Sequence, residues 1–169
     1  MSHLSLRPLL AEDAAGIAEA FAGVGWPSTV EQYLAYVDDQ RLGIRECWVA
    51  LLGDEFAGHV TLQRNPLYYG ISGRGIPEIQ DLKVLPQYRR QGVGSALLDR
   101  VEQSASAWSR VVAIGVGLHP GYNAAQRLYG LRGYVPDGLG VTHGDRYVQE
   151  GDIVPFDDEL VLHFLKILD

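Results

Sequence analysis

The residues best suited to chemistry in this chain run from Val84 to Ser95: Val84-Leu-Pro-Gln-Tyr-Arg89-Arg90-Gln91-Gly92-Val93-Gly94-Ser95. They leave a strand-like run and enter a helix-like one. Gly92 and Gly94 at that junction let backbone N–H groups approach a ligand without obstruction by Cβ, and a helix N-terminus contributes positive partial charge. Such a turn can seat a pyrophosphate, with Arg89 and Arg90 adding charge to the N–H groups. Two other phosphate loops do not fit. The Gly-Lys-Ser/Thr ending of an NTP-binding loop is missing, and the third glycine of a dinucleotide fingerprint is replaced by Leu97.

The strand leading into this loop carries two carboxylates, Glu78 and Asp81, which regular alternation would place on opposite faces unless a bulge intervenes. Other constellations are weaker. His3, His59, His119, His143 and His163 lack metal-ligand spacing, so they read as structural or surface residues and no metal is expected. Ser72 lies in Gly70-Ile-Ser-Gly73-Arg, which fails the G-x-S-x-G pattern of a serine hydrolase. The single cysteine, Cys47, beside Trp48, Val49 and Ala50, reads as a buried thiol without redox function. Trp26, Tyr68 and Tyr69 could line an acceptor pocket or pack in the core.

Positioning these groups requires a particular run of elements. His3 to Leu9 reads as a strand and Ala11 to Ala22 as a helix; Ser28, with Glu31 three residues on, reads as the cap of a second helix ending near Asp39. Arg45 to Leu52 and Phe56 to Arg64, joined by Gly53-Asp54-Glu55, form a hairpin pattern. Residues 65–77 are rich in turn formers and read as a loop able to lie over a site. A strand from Glu78 to Val84 follows, then a helix from about Gly92 to Ala107, a strand from Val111 to Val116 and a helix from Asn123 to Arg132. A Gly/Asp-rich stretch and a final strand, Glu159 to Leu168, complete the chain.

The loop resembles the acetyl-CoA signature of the GCN5-related N-acetyltransferase (GNAT) superfamily, Q/R-x-x-G-x-G/A, here Arg89-x-x-Gly92-x-Gly94. A second segment, Ala124-Ala125-Gln126-Arg127-Leu128-Tyr129-Gly-Leu-Arg-Gly133-Tyr134, is similar to that family's helix bearing a tyrosine followed four residues later by glycine and an aromatic residue. The resemblance implies one N-acetyltransferase domain over residues 1–169. Its fold would be α/β, a mixed sheet of about seven strands with the fourth and fifth splayed, flanked by about four helices. Many members have asparagine two residues before the paired alanines. Tyr122 stands there in this chain and Asn123 comes one residue late, so no cofactor contact is assigned to it.

The activity implied is transfer of an acetyl group from acetyl-CoA to a primary amine, by direct attack in a ternary complex. Backbone groups of Leu82, Lys83 and Val84 would hold the pantetheine arm and the thioester oxygen. Arg89, Arg90, Gln91, Gly92, Val93, Gly94 and Ser95 would hold the pyrophosphate. Tyr129 is the implied general acid for the departing thiolate, and Glu78 or Asp81 the base for the amine proton. The alternative is a non-catalytic acyl-CoA-binding or interaction module on the same scaffold.

Composition bounds the partners. Fourteen Lys and Arg against 21 Asp and Glu give a net charge of -7, the wrong sign for binding nucleic acid. Residues 83–100 nevertheless hold four basic residues against one acid, so the basic spot coincides with the loop. No apolar run approaches the roughly 20 residues that cross a bilayer, and the N-terminus lacks the pattern of a secretion signal. The expectation is a cytoplasmic protein acting on a small-molecule or peptide amine, without nucleic-acid or membrane partners and with a homodimer as an admissible assembly.

Overall fold

A computed structural model describes residues 3–144 and 146–169. The chain divides into two compact units, Met1–Arg64 with Ile79–Ser104 and Asn65–Glu78 with Ala105–Asp169. Eight strands and four α-helices occur among the described residues, one strand more than expected.

In the first unit β1 (Leu4–Pro8), β2 (Arg45–Leu52), β3 (Glu55–Gln63) and β4 (Glu78–Val84), all but the first residue of which belongs to this unit, lie side by side in that order. β1 and β3 both run antiparallel to β2, Cys47 facing Thr61 and Trp48 facing Val60 across the hairpin. Helices α1 (Ala14–Ala22) and α2 (Val30–Arg41) pack their Ile17, Phe21, Tyr33 and Val37 with Leu9, Cys47, Val49 and Leu85 in one buried cluster. Helix α3 (Val93–Ser106) buries Leu97, Leu98, Val101 and Ala105, positions spaced as one helical face. Cys47 is buried, and desolvation pushes its thiol up to about 12, as expected of a packing residue.

Two local expectations are corrected. The first helix opens with a 3₁₀ turn at Ala11–Asp13, where the Asp13 carboxylate accepts the Leu10 N–H at 2.8 Å and two Arg7 N–H bonds at 2.6 Å. The cap of α2 is Thr29, not Ser28: the Thr29 hydroxyl accepts the Gln32 N–H at 3.2 Å. Both residues can cap a helix, and here Thr29 holds the extended conformation, φ -114° and ψ 153°, that brings its hydroxyl to the Gln32 N–H.

In the second unit the order is β5 (Val111–Gly117), β8 (Leu160–Ile167), β6 (Val135–His143) and β7 (Arg146–Tyr147), antiparallel throughout. Strands β6 and β7 fall in the Gly/Asp-rich stretch to which the sequence reading assigns no element. The β6–β8 register shifts between Pro136 and Val141, and Gly138 and Gly140 have φ of 82° and 86°. Proline and left-handed glycines inside a strand erase its alternating pattern while marking a bulge. No helix among the described residues is long and apolar enough to cross a membrane.

Candidate active site

The loop between β4 and α3 is assembled locally. Leu85, 3% exposed, anchors the end of β4 by donating its N–H to Ala57 at 2.9 Å, and Pro86–Tyr88 form a 3₁₀ turn. Gly58 on β3 is obligatory beside it, because a Cβ there would stand 2.4 Å from the Lys83 carbonyl oxygen. The backbone then enters the left-handed region twice, at Arg90 (φ 58°) and Gly92 (φ 82°), and α3 begins at Val93. Its first helical bond runs from Ala96 N–H to Gly92 at 2.9 Å. The N–H groups of Val93, Gly94 and Ser95 therefore precede any intrahelical acceptor, and this turn presents donors with positive partial charge to an anion.

The basic residues of the loop divide. Arg89 donates from Nε to the Val84 carbonyl at 3.3 Å and stacks its guanidinium 5.1 Å from the Trp26 ring centroid, which ties it to its own strand end. Arg90 is exposed at the left-handed position. Gln91 donates to the Gln87 carbonyl at 3.0 Å and so braces the turn. Trp26 packs against Phe21, with ring centroids 5.9 Å apart, and belongs to the wall of the first unit.

The two strand carboxylates enter different networks. Asp81 sits at φ 51°, a left-handed position inside β4 that interrupts regular alternation, and it accepts the Tyr36 hydroxyl. Tyr36 in turn accepts from Gln32 Nε2 at 3.0 Å and carries the Arg45 guanidinium 4.6 Å above its ring. Burial, then the Asp81 charge, raises the Tyr36 phenol well above its ordinary value, so this proton stays on Tyr36. His59 on β3 is fully buried among the rings of Phe21 and Tyr33, at 5.5 Å each. Desolvation lowers it to about 4, keeping it neutral.

Glu78 belongs to the second unit. It is 6% exposed, with Oε1 3.4 Å from Nε2 of His163 on β8. The His163 ring stacks on Tyr68, centroids 3.5 Å apart and planes within 6°. Tyr68 donates its hydroxyl to Asp137 and lies 3.2 Å from the Tyr147 hydroxyl; burial and these bonds raise its phenol. The loop residue Tyr68 is thereby part of the Glu78 surroundings, whereas Tyr69 is largely exposed. Sequence reasoning set His163 aside as an isolated histidine. Its one sequence signal is a polar residue inside the apolar run of β8.

Tyr129 is set by the end of α4 (Asn123–Leu131). Gly133, at φ 84°, donates to the Gly130 carbonyl and Tyr134 to the Tyr129 carbonyl, both at 3.1 Å, while the Tyr129 and Tyr134 rings meet at 5.9 Å. This is a Schellman cap with its apolar clasp, and it gives Tyr129, Gly133 and Tyr134 a structural reason to stand at these offsets. Tyr129 is 4% exposed, and burial raises its phenol, which keeps the proton available for donation. At the other end of α4, the Tyr122 ring fills the space above Gly117, where a Cβ would stand 2.3 Å from the ring, and its hydroxyl donates to Asp158 at 3.1 Å. Asn123 is the first helical residue.

The loop entering α3 and the capped helix α4 both lie within the span of one family match. The Acetyltransferase (GNAT) family matches residues 13–134. The chain belongs to this family. Solved structures share the fold. The acetyl transferase that modifies the N-terminal serine of ribosomal protein L7/L12 in Salmonella typhimurium superimposes with a TM-score of 0.74 at 13% identity, over 100% of this chain and 97% of that one. Arabidopsis thaliana NAA60 in complex with acetyl-CoA gives 0.72 at 20% identity, over 98% and 99%. A chimera of the spermidine N-acetyltransferase SpeG from Vibrio cholerae and hSSAT gives 0.70 at 16% identity, over 99% and 96%. No curated protein matches the sequence. As a GNAT acetyltransferase, the protein is an enzyme that takes its acetyl group from acetyl-CoA.

Proposed function

We propose that this GNAT enzyme acetylates a primary amine by direct attack on the thioester of bound acetyl-CoA. The observation carrying the reading is the anion seat at the start of α3, where the left-handed Gly92 opens a helical turn whose first N–H groups lack intrahelical partners. Residues Arg89–Ser95 hold the pyrophosphate there, and the Leu82–Val84 backbone holds the pantetheine arm and the thioester oxygen. Residues 1–169 act as one functional domain, since the family match draws on both units.

In the reaction, Glu78 accepts a proton from the ammonium form of the acceptor. The amine lone pair attacks the thioester carbon, the C–N bond forms, the C–S bond breaks, the Tyr129 hydroxyl protonates the departing thiolate, and the second proton lost from the acetylated nitrogen returns the Tyr129 phenolate to its hydroxyl form. The preference for Glu78 over Asp81 is supported by the bond Asp81 already accepts from Tyr36. Two of the structural relatives are named for spermidine and for a protein N-terminal serine, which sets the classes to test.

The deciding experiment follows free CoA release with spermidine, a serine-initiated peptide and free amino acids as acceptors. The expected result is stoichiometric CoA release and acetylation of at least one class. Tight acetyl-CoA binding without acetylation of any class would favour the acyl-CoA-binding module instead.

A further inference from the structure

His163 is a titratable side chain that none of the roles above uses, and its surroundings constrain it closely. It is 7% exposed on β8, paired in register with Gly115 of β5. A Cβ at Gly115 would lie 3.3 Å from His163 Nε2, so the glycine leaves room for the ring where Tyr68 stacks on it. Nε2 lies 3.4 Å from Glu78 Oε1, and Nδ1 is buried with no hydrogen-bond partner among the described residues. Among the described residues, the titratable groups seen on the histidine side of the pair are Tyr68 of the loop, with Asp137 of β6 and Tyr147 of β7 behind it.

These contacts decide where the imidazole proton resides. A proton on Nδ1 would be a buried donor without an acceptor, and an imidazolium would add a charge to the same defect. A proton on Nε2 faces a carboxylate. We propose that His163 is a positioning residue for the proton acceptor of this enzyme: as the neutral Nε2–H tautomer it donates to Glu78 Oε1, fixing the orientation of that carboxylate and placing a hydrogen-bond donor against its negative charge. This inference rests on the reading of Glu78 as the base. The 3.4 Å separation is longer than the usual N–H···O range of about 2.7–3.2 Å, and contacts at catalytic groups are often this long without substrate.

Two measurements on the full chain test it. The first requires no acceptor: long-range ¹H–¹⁵N spectra of the histidine side chains at pH 7 should show His163 as the Nε2–H tautomer, and an Nδ1–H tautomer or an imidazolium overturns the proposal. The second is a pH–rate profile with an amine that the acceptor panel shows to be acetylated. His163→Phe keeps a ring for Tyr68 but removes the donor, and should move the acidic limb of kcat/KM upward by about one pH unit while acetyl-CoA affinity holds. His163→Gln, whose amide can donate, should restore the limb toward its original position. If His163→Phe fails to bind acetyl-CoA, His163→Gln and the wild-type spectra decide. Glu78→Gln separates the two readings. If it abolishes the limb while His163→Phe and His163→Gln leave it in place, the positioning role is overturned and the base stands; if Glu78→Gln itself leaves the limb intact, both fall.

Discussion

Glu78 and Asp81 stand three residues apart on one strand, yet they belong to sites built in different ways. Asp81 itself meets side chains, Tyr36 backed by Gln32 and Arg45, but in the loop that follows the groups that matter are mainly backbone: N–H donors at the start of α3, the left-handed Arg90 and Gly92, and a carbonyl that leaves no room for a side chain at Gly58. Around Glu78 they are side chains from a loop and three strands, with Tyr68 reaching Asp137 and Tyr147 across sequence separations of 69 and 79 residues. In the proposed reaction the first region binds an anion by backbone conformation, and the second handles a proton through buried side-chain partners.

The sharpest way to break this contrast is to remove each carboxylate in turn. Glu78→Gln should lower turnover by about 10²- to 10⁴-fold and abolish the acidic limb of the pH–rate profile, since the amide keeps the shape but cannot accept the proton. Asp81→Asn should leave that limb in place, because its oxygen can still accept the Tyr36 hydroxyl. A larger loss in Asp81→Asn than in Glu78→Gln would exchange the roles assigned to the two regions.

The backbone character of the first region is tested at Gly92. A β-branched residue cannot adopt φ 82° without strain, so Gly92→Val should weaken acetyl-CoA binding in calorimetry by about 10²-fold. In the wild type, cofactor at about 100 times its Kd adds roughly 2.7 kcal/mol to the folded state, a rise in Tm that the variant should lose. Unchanged affinity would place the phosphates elsewhere.

Tyr129→Phe sharpens the comparison from the proton side. With the Schellman cap intact and only the hydroxyl gone, kcat should fall about 10- to 10²-fold while acetyl-CoA affinity stays level, the signature of an interaction made in the transition state. Full activity would leave Tyr129 with packing as its sole task.

The smallest effect is one of stability in the first region. His59 is lowered to about 4 in the fold by desolvation, against about 6.5 when unfolded, so below pH 6.5 the unfolded chain binds the extra proton. Stability is therefore present in full above pH 6.5 and declines as the pH falls toward 4, by roughly 2 kcal/mol between pH 7 and pH 5. Denaturant titrations at the two pH values measure this, and His59→Phe, which fits a site lined by Phe21 and Tyr33, should be flatter over the same interval.

What the amino-acid sequence determined by itself was everything encoded within a few turns of chain. The β2 and β4 bounds, the hairpin, the glycine turn into α3 and the tyrosine helix ending at Gly133 were legible because spacing, caps and left-handed glycines act locally. Local signals failed where two neighbours could do the same task, as with Ser28 and Thr29, or where a bulge hid alternation, as in β6. Asp81 taking a left-handed conformation was equally hidden, since aspartate states no such preference strongly enough to be read. Only the tertiary structure decided which polar side chains meet. It put His163 beside Glu78, laid Tyr68 over it and engaged Asp81 with Tyr36. Those pairings depend on strand register and on the space left by Gly115, which are properties of packed neighbours and have no local spacing from which to be inferred.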